Sequence, residues 1–390
     1  MEDKLPHIVF VIHDVEGGVA SMNHQIIENG DFGRYFQVHV VLWRTQEDKS
    51  KSFRGIFTKV RDLNNFVYSV DDNYYFVLKR LNKLLNNWNG MIVTNDGIEL
   101  EAIRKFGTGS VLFSIVHDFY NLKLAIENAD LVDYFICHTE VFSKALLSSS
   151  VLRERVGYLL HGVKVAPVDA VKREMGERRL KIVSVSRLTE SKGVLLLAGI
   201  DQRLLEKGVE VEWLVIGSGE VEGQLRKQWE GKTNISFRKP DTQEEVYELV
   251  STGDIFISPS YFEGYGIALL EAMSCGLVPV IHRLPVGVYS NLADTIGFSV
   301  APGDMEAMAQ SIGRLHADRS LLADMRERAR QLIVSQYDIL RTSEAFLEYF
   351  KENTAARVNR QLQPRQYPSA GILDKPFIPG GISRWVKKNR

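Results

Sequence analysis

Apolar positions along this chain gather in short runs. The first half carries HIVFVI at 7–12, VHVVLW at 38–43, MIVT at 91–94, VLFSIV at 111–116, YFICH at 134–138 and VGYLL at 156–160. Each is too short for a buried helix and lacks the alternation of a half-exposed sheet, so each reads as a strand covered on both faces. Polar or helically spaced stretches separate them, the first from residue 19 to about 28. The rhythm restarts with LKIVSV at 180–185, VEWLVI at 211–216, ISF at 235–237, IFI at 255–257 and VPVI at 278–281. Helical spacing lies between these runs, and a last helix is predicted from about 324 to 352. Strand and helix alternating in this way predict an α/β chain with two doubly wound parallel sheets in tandem.

Between the two series, residues 164–179 turn charged and Pro-containing (KVAPVDAVKREMGERR), as a linker does. The expected division is a first domain over 1–165, a second over 166–340, and a C-terminal helix and tail over 341–390 that return to the first. A length of 390 residues suits two such domains. With 45% hydrophobic and 25% charged residues the chain is globular and not disordered. Lys and Arg total 48 against 49 for Asp and Glu, so no overall field draws nucleic acid, and an electrostatic partner must be met by a local patch. The two cysteines, Cys137 and Cys275, sit in apolar runs, which argues against a disulfide scaffold and for a reducing compartment. The opening MEDKLPHIVFVIHD reads as neither a secretory signal nor a membrane span, so the expected location is cytoplasmic.

The most informative segment is SPSYFEGYGIALLEAMSCGLVPV at 258–280. A strand runs into the loop Glu263-Gly264-Tyr265-Gly266, and a helix opening near Ile267 carries Glu271. Free N–H groups at such a loop and first helical turn bind an anionic diphosphate. Glu263 and Glu271 suit the hydroxyls of a sugar and a ribose, which are donors. A second element places Arg187 at the end of a strand and Lys192 five residues on, two cations able to neutralise a departing diphosphate. A strand at 211–216 leads into Gly217-Ser218-Gly219, but Glu222 stands where a dinucleotide fingerprint needs its third glycine. In the first half, Gly17-Gly18 follow the first strand, and His117-Asp118 follow the run at 111–116. Taken singly, such glycines, cations and the His–Asp step are also what ordinary turns carry.

Together these residues resemble a known family. The 258–280 segment is similar to the E-x7-E signature of retaining glycosyltransferases of GT-B fold, in the large glycosyltransferase family 4 group, and Arg187 with Lys192 is similar to its R-x4-K pair. The resemblance implies two Rossmann-like domains facing across a cleft. It assigns Glu263 to the donor sugar, Glu271 to the ribose, and Arg187 and Lys192 to the diphosphate, beside Gly264, Tyr265, Gly266 and Ile267. Gly217 would line the nucleotide pocket, Arg238 border the base, and Gly17 and Gly18 lie beneath the phosphates. His117 would approach the sugar from the first domain. The stretch 301–304 with Asp318, Arg319 and Arg326 matches the family's ending. One departure is His161-Gly162-Val163-Lys164, where many relatives carry Asn-Gly-Val-Asp.

The activity so implied is transfer of a sugar, with retention, from a UDP- or GDP-linked donor to a glycan or lipid-linked acceptor in surface polysaccharide synthesis. No Asp-x-Asp motif and no zinc-spaced His/Cys set occurs, so the expectation is a metal-independent enzyme without a cofactor. Two rival readings are a nucleotide-sugar epimerase on the same fold and a non-catalytic sugar-nucleotide binding protein.

Two segments bear on a membrane contact at the inner face. Residues 49–62 (KSKSFRGIFTKVRD) space Phe53, Ile56, Phe57 and Val60 helically among basic residues, as an interfacial helix on anionic lipid or a surface helix packed on the sheet would. The chain ends in a Pro- and Gly-rich stretch and then RWVKKNR at 384–390, which either docks on a membrane or folds back on the first domain.

Overall fold

The structure, a computed structural model, describes residues 5–166, 179–290, 296–356, 358 and 374–388. Residues 167–178 of the expected linker at 164–179, and much of the tail beyond 356, lie outside the described residues. The chain divides into two compact units: Met1–Leu160 with Thr342–Arg390, and His161–Arg341.

The first unit holds a parallel seven-stranded sheet. Its strands are β1 (His7–His13), β2 (Gln37–Thr45), β3 (Asp62–Tyr68), β4 (Gly90–Thr94), β5 (Val111–Val116), β6 (Tyr134–Cys137) and β7 (Val156–Tyr158). The intervening helices are α1 (Gly18–Asn29), α2 (Tyr74–Leu85), α3 (Gly97–Phe106), α4 (Phe119–Glu127) and α5 (Glu140–Ser148). The second unit holds a parallel six-stranded sheet of β8 (Leu180–Val185), β9 (Val211–Ile216), β10 (Ile235–Arg238), β11 (Ile255–Ser258), β12 (Val278–His282) and β13 (Phe298–Val300). Its helices are α6 (Leu196–Glu206), α7 (Glu222–Gln228), α8 (Gln243–Ser251), α9 (Ile267–Ser274), α10 (Met305–Ala317) and α11 (Arg319–Gln336). Then α12 (Ile339–Glu352) leads back to the first unit, which also carries α13 (Gly380–Lys388).

The doubly wound α/β reading holds for both units. The five central residues of β1 are completely covered, which is why its sequence shows no alternation. Strand order is β3-β2-β1-β4-β5-β6-β7 in one sheet and β10-β9-β8-β11-β12-β13 in the other. Each order reverses direction once, between β1 and β4 and between β8 and β11. Ligands in open α/β sheets bind outside the carboxyl ends of the strands at such a switch point. That rule places attention on the loops after β1, β4, β8 and β11.

Three details differ from the sequence reading. Residues 50–61 form no helix: Phe53 and Phe57 pack edge-on against the His24 ring of α1. Glu28 meanwhile accepts hydrogen bonds from the backbone of Thr58 and Lys59, at 2.8 and 3.1 Å. Capture of the backbone by a neighbouring carboxylate outweighs the helical spacing of four apolar residues, with Gly55 in their midst weakening any helix. The following edge strand β3 is mixed and half exposed, so its pattern carries no signal. The long C-terminal helix is broken at Tyr337 and Asp338, where the backbone bridges to Val163. Beyond the break, Phe350 enters the first unit's core, its ring 4.9 Å from that of Phe113 and 5.9 Å from that of Phe10.

Candidate functional site

In the second unit the loop after β8 (186–195) and the loop after β11 (259–266) flank the switch point. Ser191 O accepts from Tyr261 N at 2.9 Å, joining the two backbones. Gly193 is left-handed (φ 63°), and a side chain there would put a Cβ 2.0 Å from the Pro259 carbonyl oxygen, so only glycine lets the loops meet. Lys192 Nζ then reaches across to Phe262 O at 3.2 Å and to Glu263 Oε1 at 2.8 Å. Both charged side chains are about 15% exposed, which is little for a surface pair. Arg187 lies in the same loop as Lys192 with its side chain exposed and, among the described residues, makes no ion pair.

The other side of the loop is equally constrained. Tyr265 is buried, and its hydroxyl accepts from His161 N at 3.1 Å and donates to His161 O at 3.0 Å. Gly266 is left-handed (φ 101°) and starts α9 without a side-chain cap. Beneath it lies the buried ring of Tyr289, 2.8 Å from where a Cβ would stand, and the Tyr289 hydroxyl donates to Ser258 Oγ at 2.9 Å. Most helices of known capping here use a side chain: Asn73, Asp96, Asp118, Thr139, Thr242, Asp304 and Asp318 each accept a backbone N–H. Helix α1 starts at Gly17 and α9 at Gly266, both capless, leaving the positive end of each open to an anion.

Glu271 projects from α9, buried, and its Oε1 accepts from Gln243 Nε2 at 2.5 Å. Burial pushes its carboxyl up to about 8, so it holds its proton at neutral pH. Gly217 forms the turn after β9, where a Cβ would stand 2.0 Å from Ser186 O, and its N–H donates to Arg238 O at 3.0 Å. Arg238 ends β10 with its side chain exposed, its guanidinium donating to Phe237 O. Gly264 and Ile267 are half-buried on either side of Tyr265 and Gly266. In the structure Lys192, Glu263, Gly264, Tyr265, Gly266 and Ile267 form one connected set, whereas Arg187 in the loop after β8, Gly217 in the turn after β9 and Arg238 at the end of β10 stand apart from it, with no hydrogen bond or ion pair to it among the described residues.

In the first unit, Gly17 is extended and Gly18 opens α1, so neither uses the left-handed freedom of glycine. A Cβ at Gly17 would meet nothing within 4 Å, and chain packing alone therefore does not demand the glycine. His117 is buried, its Nε2 2.7 Å from Asn95 Oδ1. Asn95 Nδ2 donates to Val11 O at 2.8 Å, which fixes the amide's orientation and makes His117 Nε2 the protonated nitrogen. Asp118 caps α4 through Asn121 N at 2.9 Å. Sequence reasoning missed Asp96, which caps α3 after β4 and whose carboxyl is raised by burial, with His13 and Asp118 close enough to act on its charge. It also missed Gln243 and Tyr289. None of these three lies in a motif; only the switch-point rule, applied to β4, would have pointed to Asp96.

Comparison with known proteins follows the same division. Residues 168–332 match the family described as Glycosyl transferases group 1. The amylovoran biosynthesis glycosyltransferase AmsK of Erwinia amylovora is 29% identical over 189 residues, 45% of this chain and 46% of that one. The GDP-mannose:cellobiosyl-diphosphopolyprenol alpha-mannosyltransferase of Xanthomonas oryzae pv. oryzae is 29% identical over 161 residues, 39% of this chain and 41% of that one. The aligned stretch spans less than half the length of these curated relatives. Among solved structures, Anabaena Alr3699/HepE in complex with UDP and glucose superposes with a TM-score of 0.70 at 16% identity, covering 89% of this chain and 100% of that one. The same protein with UDP-glucose superposes with a TM-score of 0.70 at 16% identity, covering 89% and 99%. These likenesses show the fold, the two-domain GT-B architecture expected from the sequence.

Proposed function

We propose that this chain is a glycosyltransferase that moves a sugar, with retention, from a nucleotide-sugar donor to a glycan or lipid-linked acceptor in surface polysaccharide synthesis at the cytoplasmic side of a membrane. The observation that carries the reading is the joining of the Lys192 and Glu263 loops at the switch point of the second sheet. Lys192 and Glu263 form a 2.8 Å ion pair there, and the loop that carries the glutamate runs three residues on into the uncapped start of α9. The relatives named for polysaccharide synthesis, and the fold neighbour bound to UDP-glucose, support it.

In this reading the donor's diphosphate lies at the start of α9 and against Lys192 and Arg187. As the bond from the sugar's anomeric carbon to the phosphate oxygen breaks, negative charge grows on that oxygen, and the two cations and helix N–H groups stabilise it without a metal. Glu263 exchanges its ligand-free partner, Lys192, for sugar hydroxyls. Glu271, steadied by Gln243, receives the ribose hydroxyls, and Arg238 borders the base. The acceptor hydroxyl attacks from the face the leaving group vacates and gives its proton to the departing phosphate oxygen. We assign the acceptor side to the first sheet's switch point, with Gly17, Gly18, Asp96 and His117. No cofactor is assigned.

A thermal-shift screen over UDP, GDP, ADP and their sugars tests this directly, since a ligand that binds only the folded chain stabilises it by mass action. At least one nucleoside diphosphate is expected to raise the melting temperature of the wild type and not of Lys192→Ala. A screen in which none does so removes the reading.

A further inference from the structure

Among the described residues, the hydrogen bonds and ion pairs that fasten the last described helix, α13, to the first unit lie along one face. Arg384 Nε donates to Asp72 Oδ1 at 2.8 Å, and Lys387 Nζ reaches Asp374 Oδ1 at 2.7 Å and Asp72 O at 2.9 Å. Asp374 itself accepts from Tyr74 N at 2.8 Å, and Asn73 donates to the carbonyls of Lys375 and Ile378 at 3.1 and 2.9 Å. This polar lattice ties the helix and the segment before it to the start of α2, with Ser383 buried. The opposite face is apolar and open. Phe377 is 73% exposed, Ile382 55% and Trp385 69%, an unusual concentration for nine consecutive residues of a water-facing surface. Ile382 and Trp385 are one turn apart and share a side of the helix. Lys375 and Lys388 flank them, both exposed and neither engaged by an acidic side chain among the described residues.

We infer that this face, Phe377, Ile382 and Trp385 framed by Lys375 and Lys388, is a docking surface for an anionic lipid bilayer. A tryptophan beside aliphatic and phenyl groups, with lysines at the margin, suits the boundary between headgroups and acyl chains. Asp72 and Asp374 are spent on Arg384 and Lys387, and Asp71 also acts on Arg384, so the cations left at the margin are Lys375 and Lys388. A second copy of the chain meeting this face across a two-fold axis would set like lysines against each other, which disfavours a dimer. No helix among the described residues is long and apolar enough to cross a membrane, so the contact is peripheral. The inference stands apart from the nucleotide site, and its test does not depend on transfer activity.

The experiment is sedimentation of the full chain with vesicles of phosphatidylcholine and phosphatidylglycerol in equal parts, beside pure phosphatidylcholine. The wild type is expected to bind the anionic vesicles, more weakly at high salt. Phe377→Ser with Trp385→Ser is expected to lower the partition coefficient at least tenfold. Lys375→Glu with Lys388→Glu should lower it about thirtyfold, each lysine near such a surface being worth roughly fivefold. Melting temperatures within a degree of the wild type confirm that these surface changes leave the fold intact. Of the five tryptophans, Trp43, Trp213 and Trp229 are buried, so a blue shift on vesicle addition that Trp385→Phe abolishes places the contact at this helix. Failure of the wild type to bind, undiminished binding by either double variant, or a vesicle-free dimer that Trp385→Ser dissolves would each overturn the proposal.

Discussion

Lys192 Nζ lies 2.8 Å from Glu263 Oε1. Two groups assigned opposite duties toward a donor, one toward phosphate and one toward hydroxyls, hold each other when no donor is present. Ligand must therefore compete with an internal ion pair, and removing either partner has opposite consequences for binding.

Glu263→Gln releases Lys192 from its partner. Calorimetric titration with the nucleoside diphosphate found by thermal shift is expected to show equal or severalfold tighter binding, while transfer falls at least a hundredfold. Tighter binding with unchanged transfer would show that Glu263 only restrains the lysine.

Lys192→Ala removes a cation aimed at a leaving group. A single such donor typically contributes on the order of 3 kcal/mol to the barrier, so kcat should fall by about two orders of magnitude. Near-normal turnover in stopped assays with donor and acceptor would end the phosphate assignment.

Glu271 gives a pH signature. The carboxyl is pushed up to about 8 by burial from an ordinary value of 4.5, so the folded chain binds one proton more than the unfolded chain between these values. Stability attributable to this group therefore falls as pH rises from about 4.5 to 8. Glu271→Gln removes that loss while keeping an oxygen for Gln243. In urea melts its gain over the wild type should be larger at pH 8 than at pH 5, on the order of a few kcal/mol. The same variant should bind nucleoside diphosphate more weakly. A variant that is stabler and binds equally well would make Glu271 a burial relic and not a ribose ligand.

Gly266→Ala forces a side chain into a left-handed residue and against the Tyr289 ring. The backbone term alone costs about 1–2 kcal/mol. Thermal unfolding should show this loss, and nucleotide affinity should drop further because the start of α9 moves. Unchanged melting would mean that the loop has slack that the packing denies.

The strand cores were legible because β1, β5 and β12 are covered on both faces and carry apolar runs, interrupted in β5 by Ser114 alone. Strand β3 was not, because DLNNFVY at a sheet edge has no face to declare. The helix expected at 49–62 failed because the decisive partner, Glu28, lies 30 residues earlier in α1. Lys192 and Glu263 were legible through a motif resemblance, and spacing along the chain places their loops after strands that prove to be neighbours. Gln243 and Tyr289 were not, since the fold alone brings an amide 28 residues away to Glu271 and a phenol ring under Gly266. The C-terminal helix presented two alternatives, and its charged and apolar faces explain why: one sequence pattern encodes both an attachment and an exposed surface.

The Tyr265 hydroxyl grips residue 161 through main-chain atoms, an N–H and a carbonyl. Those two bonds place no demand on the side chain at that position. The buried His161 ring, however, stands edge-on to the Tyr265 ring with centroids 6.4 Å apart. An exchange at 161 therefore keeps the hydrogen bonds that anchor the glutamate loop and alters the packing beside them, whereas loss of the phenol hydroxyl removes the bonds themselves.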